Sequence, residues 1–261
     1  MILFDSHCHI DDKSYDKDLD EVLGRADREG VKALMVVGID LETTQKAIAI
    51  ARGRNHIITS TGIHPHDASH CSPGLLDELT GLARDNDCVR AWGETGLDFN
   101  RMYSPQKDQE TCFSAQIGIA ADLGLPLIFH ERDSRGRFYE ILKSEGNGNG
   151  VVHCFSGTKE ELFNYLDLGY SIGITGILTI QKRGAELREM APLIPEDRIL
   201  IETDAPYLTP APIKNKVRRN EPAFVKSVLL RLAEIRNTDP ERLSEIIFEN
   251  TQKLYGTDFT V

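Results

Sequence analysis

Disulfide frameworks, membrane spans and export signals each leave a mark that this chain does not carry. Its five cysteines are odd in number and include no C-x-x-C pair, which argues against a disulfide scaffold or a structural zinc ribbon. No apolar run approaches the roughly 20 residues that a bilayer span needs. The N-terminus lacks the basic segment and long apolar stretch of a secretory signal, so a reduced, cytoplasmic setting without membrane attachment is expected. Basic residues are also in deficit. Thirty Lys and Arg stand against 41 Asp and Glu, a net charge of -11. That balance excludes broad, sequence-independent wrapping of nucleic acid, which depends on many cation–phosphate contacts. It leaves room for an enzyme that grips a few nucleotides at one site, and it suits a protein whose carboxylates serve bound cations.

What is present is an ordinary globular composition, 40% hydrophobic and 27% charged, arranged in a repeating order. Short apolar runs occur at 2–4, 31–37, 57–61, 88–92, 125–129, 150–152, 170–174 and 198–201. Helix-sized amphipathic segments separate them, the first over about 17–29 with Leu19, Val22, Leu23 and Ala26 on one face. Eight strand–helix alternations in 261 residues predict an α/β protein of the (β/α)8, or TIM-barrel, type. The competing open, doubly wound sheet would carry a Gly-rich phosphate turn after its first strand. Histidines occupy that turn here. Two further helices, about 221–236 and 240–250, close the chain, with Asp239 capping the last and Pro240 at its first position. No linker, low-complexity segment or internal repeat interrupts the series, so residues 1–261 are expected to form one domain. The Gly146–Gly150 run is expected to be a turn before strand six.

A barrel places its active site at the C-terminal ends of its strands. The chemistry-bearing residues gather at those ends. Strand one runs into His7 and His9, which period-two alternation puts on one face, with Cys8 turned to the other. Strand three leads to His64 and His66, strand four to Glu94, strand five to His130 and Arg132, strand six to His153, and strand eight to Glu202 and Asp204. Of the eight histidines only His56 and His70 fall elsewhere. Each position has an ordinary explanation alone: a hydrogen-bonded core imidazole for His130 or His153, a helix cap for Glu94, an Asx turn before Pro206 for Asp204, polar loops for His64 and His66. Those explanations are independent of one another. Shared divalent cations would account for most of the positions at once, because buried charges and imidazoles are costly without partners.

These segments resemble the successive motifs of the TatD-type metal-dependent hydrolases: Asp5-Ser6-His7-Cys8-His9-Ile10-Asp11, Gly62-Ile63-His64-Pro65-His66, Gly93-Glu94-Thr95-Gly96-Leu97-Asp98, Phe129-His130, His153-Cys154-Phe155-Ser156-Gly157, Glu202-Thr203-Asp204-Ala205-Pro206-Tyr207-Leu208 and Arg219-Asn220-Glu221-Pro222. The match runs in order over essentially the whole chain. It implies an amidohydrolase-like barrel and a metal-dependent deoxyribonuclease, acting exonucleolytically as many members do. By that resemblance His7, His9 and Asp204 hold one cation, His130 and His153 a second, and Glu94 bridges the two. Histidine and carboxylate donors suit zinc, manganese or magnesium.

Two such cations, held roughly 3.5–4 Å apart, activate water and neutralise charge on a phosphodiester. Asp204 is the expected base. Glu202 is expected to lie behind the ligands or to add a further contact. His64, His66, Arg132 and Arg219 are expected to meet the substrate, although either histidine could serve an additional metal position. The basic stretch Lys214–Arg219 should reach backbone phosphates. It departs from the family, where a glycine and a more compact basic segment usually precede Asn-Glu-Pro. DNA is thus the expected substrate, with no obligatory protein partner and a monomer expected. The alternative on the same barrel is a hydrolase of small esters, amides or lactones, since fold and ligands alone do not separate the two.

Overall fold

The computed structural model describes residues 1–259. Its strands are β1 (Leu3–Cys8), β2 (Val31–Val36), β3 (Ile57–Thr61), β4 (Val89–Asp98), β5 (Leu127–Arg132), β6 (Gly150–Val152), β7 (Ser171–Ile174) and β8 (Ile199–Ile201). They follow one another in chain order in a single eight-stranded sheet. The helices are α1 (Leu19–Arg28), α2 (Leu41–Ala51), α3 (Pro73–Asp85), α4 (Gln106–Leu123), α5 (Arg137–Glu145), α6 (Lys159–Asp167), α7 (Ala185–Met190), α8 (Val225–Arg236) and α9 (Pro240–Tyr255). One helix follows each strand, and the ninth closes the chain. This is the order of a (β/α)8 barrel, as the alternation of the sequence requires.

The described residues divide into two compact units. The first comprises residues 1–36, 154–158 and 172–261. Its β1 pairs in parallel with β2, and β7 with β8. Phe4 on β1 meets Phe248 and Tyr255 of α9 at ring-centroid distances of 5.9 and 6.1 Å. Asp239 caps α9 by accepting from the Arg242 amide, with Pro240 at the first position, because that position has no intrahelical acceptor for an amide proton.

The second unit comprises residues 37–153 and 159–171 and contains the parallel ladder β3–β4–β5–β6. Its core is aromatic. Phe138 stacks on Phe113 at 5.2 Å and meets Phe129 and Tyr165 edge-on, both at 5.5 Å. Asp40 opens α2 through a reciprocal capping box with Thr43, which satisfies two amides that the helix leaves bare.

Three strands run further than their apolar residues indicate. β1 reaches Cys8, β4 reaches Asp98 and β5 reaches Arg132, so His7, Glu94 and His130 sit within strands rather than in loops beyond them. The ladder explains the extension: Gly96 pairs with His130 and Asp98 with Arg132, and backbone pairing is indifferent to side-chain polarity. Close approach of β4 to β5 demands glycine. At Gly96, φ is +145° and a Cβ would fall 1.9 Å from the His130 carbonyl oxygen, which no side chain tolerates. Near the C-terminus, the expected helix from 221 begins instead as a 3-10 turn at Pro222–Phe224 before α8. Among the described residues, no helix is long and apolar enough to cross a membrane.

Truncating the centre of the aromatic core should be costly. Phe138→Ala is expected to lower stability by about 3–5 kcal/mol, read as a shift in the urea midpoint with little change in slope.

Candidate metal centre

Two backbone hydrogen bonds assemble the cluster of the first unit. The Asp204 amide donates to the His7 carbonyl (2.9 Å) and the His9 amide to the Ala205 carbonyl (2.7 Å). The segment after β8 is thereby laced to the end of β1. Buried Asp5 reinforces the join by accepting from the Thr203 amide (2.8 Å) and hydroxyl (2.5 Å). Burial pushes the Asp5 carboxyl up to about 8 against the pull of those Thr203 bonds. Asn220 holds the same segment from outside, donating to the Thr203 and Tyr207 carbonyls at 2.9 and 2.6 Å.

The result brings three donor atoms together. His7 Nε2 and His9 Nε2 lie 3.1 Å apart, and Asp204 Oδ1 lies 3.7 and 3.5 Å from them. Ligand atoms about 2.0–2.1 Å from a tetrahedral cation are spaced by about 3.4 Å. The spacing therefore fits a cation. Cys8 takes no part: its thiol is buried and donates to the Met35 carbonyl at 3.3 Å.

The second unit concentrates its donors on one carboxylate oxygen. Glu94 Oε1 lies 2.7 Å from His130 Nδ1, 3.2 Å from His153 Nε2 and 3.4 Å from His64 Nε2. Burial would raise the Glu94 pKa, but the imidazoles of His153, His64 and His130 outweigh it and hold the group well below the usual carboxylate range. Asp98, two residues beyond Gly96 on the same strand, accepts at Oδ2 from His66 Nε2 (2.8 Å) and lies 3.3 Å from His130 Nε2. His130 thus has a carboxylate at each nitrogen. Burial lowers its pKa, while Asp98 and Glu94 raise it further, so the net shift is upward. With Asp98 taking the Nε2 proton, Nδ1 is left as the nitrogen for a cation on Glu94, the carboxylate–histidine–metal arrangement that fixes ring tautomer and orientation. Glu94, His130 and His153 bring one donor atom each within 4.8 Å of one another.

His64 is placed differently. Its Nδ1 accepts from the His66 amide at 3.1 Å, and burial lowers its pKa to about 4 against Glu94's pull. A neutral imidazole with Nδ1 accepting carries its proton on Nε2. In that tautomer His64 presents an N–H toward Glu94 Oε1 (3.4 Å) and His130 Nδ1 (3.2 Å), and with His66 and His130 it also forms a group of three imidazoles close enough to hold a metal.

Glu202 is fully buried and accepts from the Cys154 amide at 2.5 Å. Arg132 is exposed. Arg219, expected to meet substrate, is committed elsewhere. Its guanidinium donates to Asp18 at 2.8 and 2.6 Å, to Glu221 at 3.1 Å and to the Ser14 carbonyl at 2.6 Å, and it lies over the Tyr15 ring. Both terminal nitrogens of the guanidinium are thus engaged within the protein, where they tie the chain to Asp18. Lys214, Lys216 and Arg218 of the same stretch stay exposed. Sequence reasoning quoted Asp98 in its motif yet gave it no role. The signal was available, since Glu94 and Asp98 are four residues apart on a strand and so share a face.

The family model for TatD related DNase matches residues 4–256. The chain belongs to the TatD family. Among curated members it is similar to the 3'-5' ssDNA/RNA exonucleases TatD of Salmonella typhimurium, 39% identical with 98% of this chain and all of that protein covered, and of Rahnella, 42% identical with 97% and 98% covered. Solved TatD structures superpose closely. The TatD homologue YjjV of Escherichia coli gives a TM-score of 0.90 at 28% identity, with 98% of each chain covered. A TatD family hydrolase of Entamoeba histolytica gives 0.88 at 29%, with the same coverage.

Asp98→Asn keeps the shape of the TatD motif but removes the charge that orients His130. It should weaken metal binding by about 10–100-fold, measured by competition with a chromogenic chelator. Because the raised His130 must lose its Nδ1 proton to bind a cation, affinity in the parent should fall as pH drops through and below the ordinary imidazole value of about 6.5.

Proposed function

We propose that the protein is a divalent-metal-dependent nuclease that removes nucleotides from the ends of single-stranded nucleic acid. The observation that carries this reading is its match over nearly its whole length, at about 40% identity, to proteins named as 3'-5' ssDNA/RNA exonucleases. The expectation of DNA is widened to RNA on the same ground. The donor sets support it. His7, His9 and Asp204 would hold one cation, and His130 and His153 a second, with Glu94 in the role the family resemblance implies. When bound, such cations offset charge on the phosphodiester and make water nucleophilic at neutral pH.

The chain's own groups then divide the work. Asp204, with 14% of its side chain open to solvent, is the base positioned to take a proton from an incoming water at its carboxylate. Glu94, only 4% open, is better suited to holding charge than to exchanging protons. His64 Nε2–H donates to a non-bridging phosphate oxygen, and burial keeps it neutral, so it neither repels a cation nor titrates near pH 7. His66 is oriented by Asp98, leaving its Nδ1 as an acceptor. The exposed Arg132 and the Lys214, Lys216 and Arg218 cations meet flanking phosphates, which position the strand without reading its sequence. Glu202, through the Cys154 amide, steadies the segment that follows β6.

End-labelled single-stranded DNA, single-stranded RNA and duplex DNA test the reading directly. Chelator should abolish cleavage of the single strands, and added Mn2+, Zn2+ or Mg2+ should restore it. Asp204→Asn should lower kcat by about 10²–10⁴-fold, the usual worth of a positioned base, while leaving the circular dichroism spectrum intact. Cleavage that survives chelation, or a fully active Asp204→Asn protein, would overturn the proposal.

A further inference from the structure

Given the nuclease reading above, we infer that Tyr103 is the stacking platform for the base of the substrate's terminal nucleotide. Tyr103 has 65% of its surface open, more than any other large apolar side chain among the described residues. An exposed aromatic ring on a slack loop would mean little. This loop, between β4 and α4, is anchored on both sides of the ring. Asp98 Oδ1 accepts from the Asn100 and Arg101 amides at 3.0 and 2.8 Å. Buried Gln109 accepts from the Asp98 amide (2.8 Å) and donates to the Asp98 and Ser104 carbonyls (3.1 and 2.8 Å). Ser104, fully buried, donates to the His66 carbonyl (2.8 Å) and accepts from the Ser69 amide (3.0 Å).

That scaffold holds Tyr103 in the open beside the histidine cluster. Among the described residues its ring neighbour is His66, edge-on at 4.7 Å and 69°, the same His66 that shares Asp98 with His130. Tyr103 therefore stands one side chain away from the groups proposed to act on the phosphodiester. Exposure of a tyrosine and of its neighbour Met102, which is 45% open, contributes nothing to folding. A nucleobase covering the ring would recover that area.

The strand also has a path onward. Beyond Met102 a cleft of about 460 Å³ is lined by Phe99, Met102, Gln106, Ser134, the Arg135 and Arg137 guanidinium groups and the Glu140 carboxylate, the last of which already accepts from Arg137. Its size is that of a small-ligand site. Phe99 and Met102 offer an apolar wall, and the exposed Arg135 guanidinium has no carboxylate partner among the described residues. The nucleotide next to the terminal one fits that lining. Stacking on an aromatic ring accepts every base, since each has a π-face. The platform would thus hold a terminal nucleotide without sequence preference.

The test uses the full chain with Mn2+ and two end-labelled single strands, identical except that one ends in an abasic tetrahydrofuran residue at its 3' terminus. The parent should favour the base-bearing strand in kcat/KM. Tyr103→Ala should raise KM for that strand by about 5–150-fold, the alanine cost of one stacked base, and collapse the ratio between the strands towards one. Tyr103→Phe should restore the ratio, because the ring and not the hydroxyl does the stacking. An active parent whose discrimination survives Tyr103→Ala, or a Tyr103→Ala protein that loses both strands equally, would overturn the platform alone. A parent that cleaves neither strand overturns the nuclease reading and the platform with it.

Discussion

A single buried carboxylate oxygen with three imidazole nitrogens around it is the constraint on which the second unit of this protein depends. Glu94 Oε1 has His130, His153 and His64 within 3.4 Å, in a buried interior. A charge so placed is tolerable only while its partners stay put, because an isolated carboxylate in that medium costs several kcal/mol. The surrounding structure supplies the fixity. Gln116, buried on α4, accepts from the Ile63 amide and the Trp92 indole and donates to Thr95. It therefore clamps the residue before His64 and both flanks of Glu94 with one side-chain amide.

The first unit solves a similar problem with backbone. Two imidazoles facing each other across 3.1 Å need a proton or a cation between them. Their approach is imposed by the lacing of β1 to the residues after β8. Asp5, Asn220 and Thr203 have no donor aimed at a ligand, but they fix the turn on which Asp204 stands. The Arg219–Asp18–Glu221–Arg25 cluster then ties that turn to α1. The Asn-Glu-Pro motif of this chain is thus explained by what it holds together.

The fold class was legible in the chain itself. Alternation of short apolar runs with amphipathic segments is local, and so is the period-two rule that put His7 with His9. What the sequence left ambiguous were strand ends, because an apolar count stops at the first polar residue whereas a parallel ladder does not. β4 and β5 therefore carry Glu94, Asp98 and His130 inside the sheet. Asp98 shows what the extended strand adds: as part of β4 it shares a face with Glu94.

By itself, then, the sequence determined the (β/α)8 order and the residue types able to hold divalent cations, because both follow from spacing along one chain. Tertiary structure decided which of those residues are donors, acceptors or already engaged. His64 became an N–H donor only because the His66 amide occupies its other nitrogen. Arg219 is drawn into an ion pair only because Asp18, 201 positions away, is brought beside it. Tyr103 stood out only because a buried Ser104 and Gln109 hold its loop against His66. Each outcome depends on partners far apart in the chain, and protonation, pairing and exposure are properties of those contacts rather than of any residue alone.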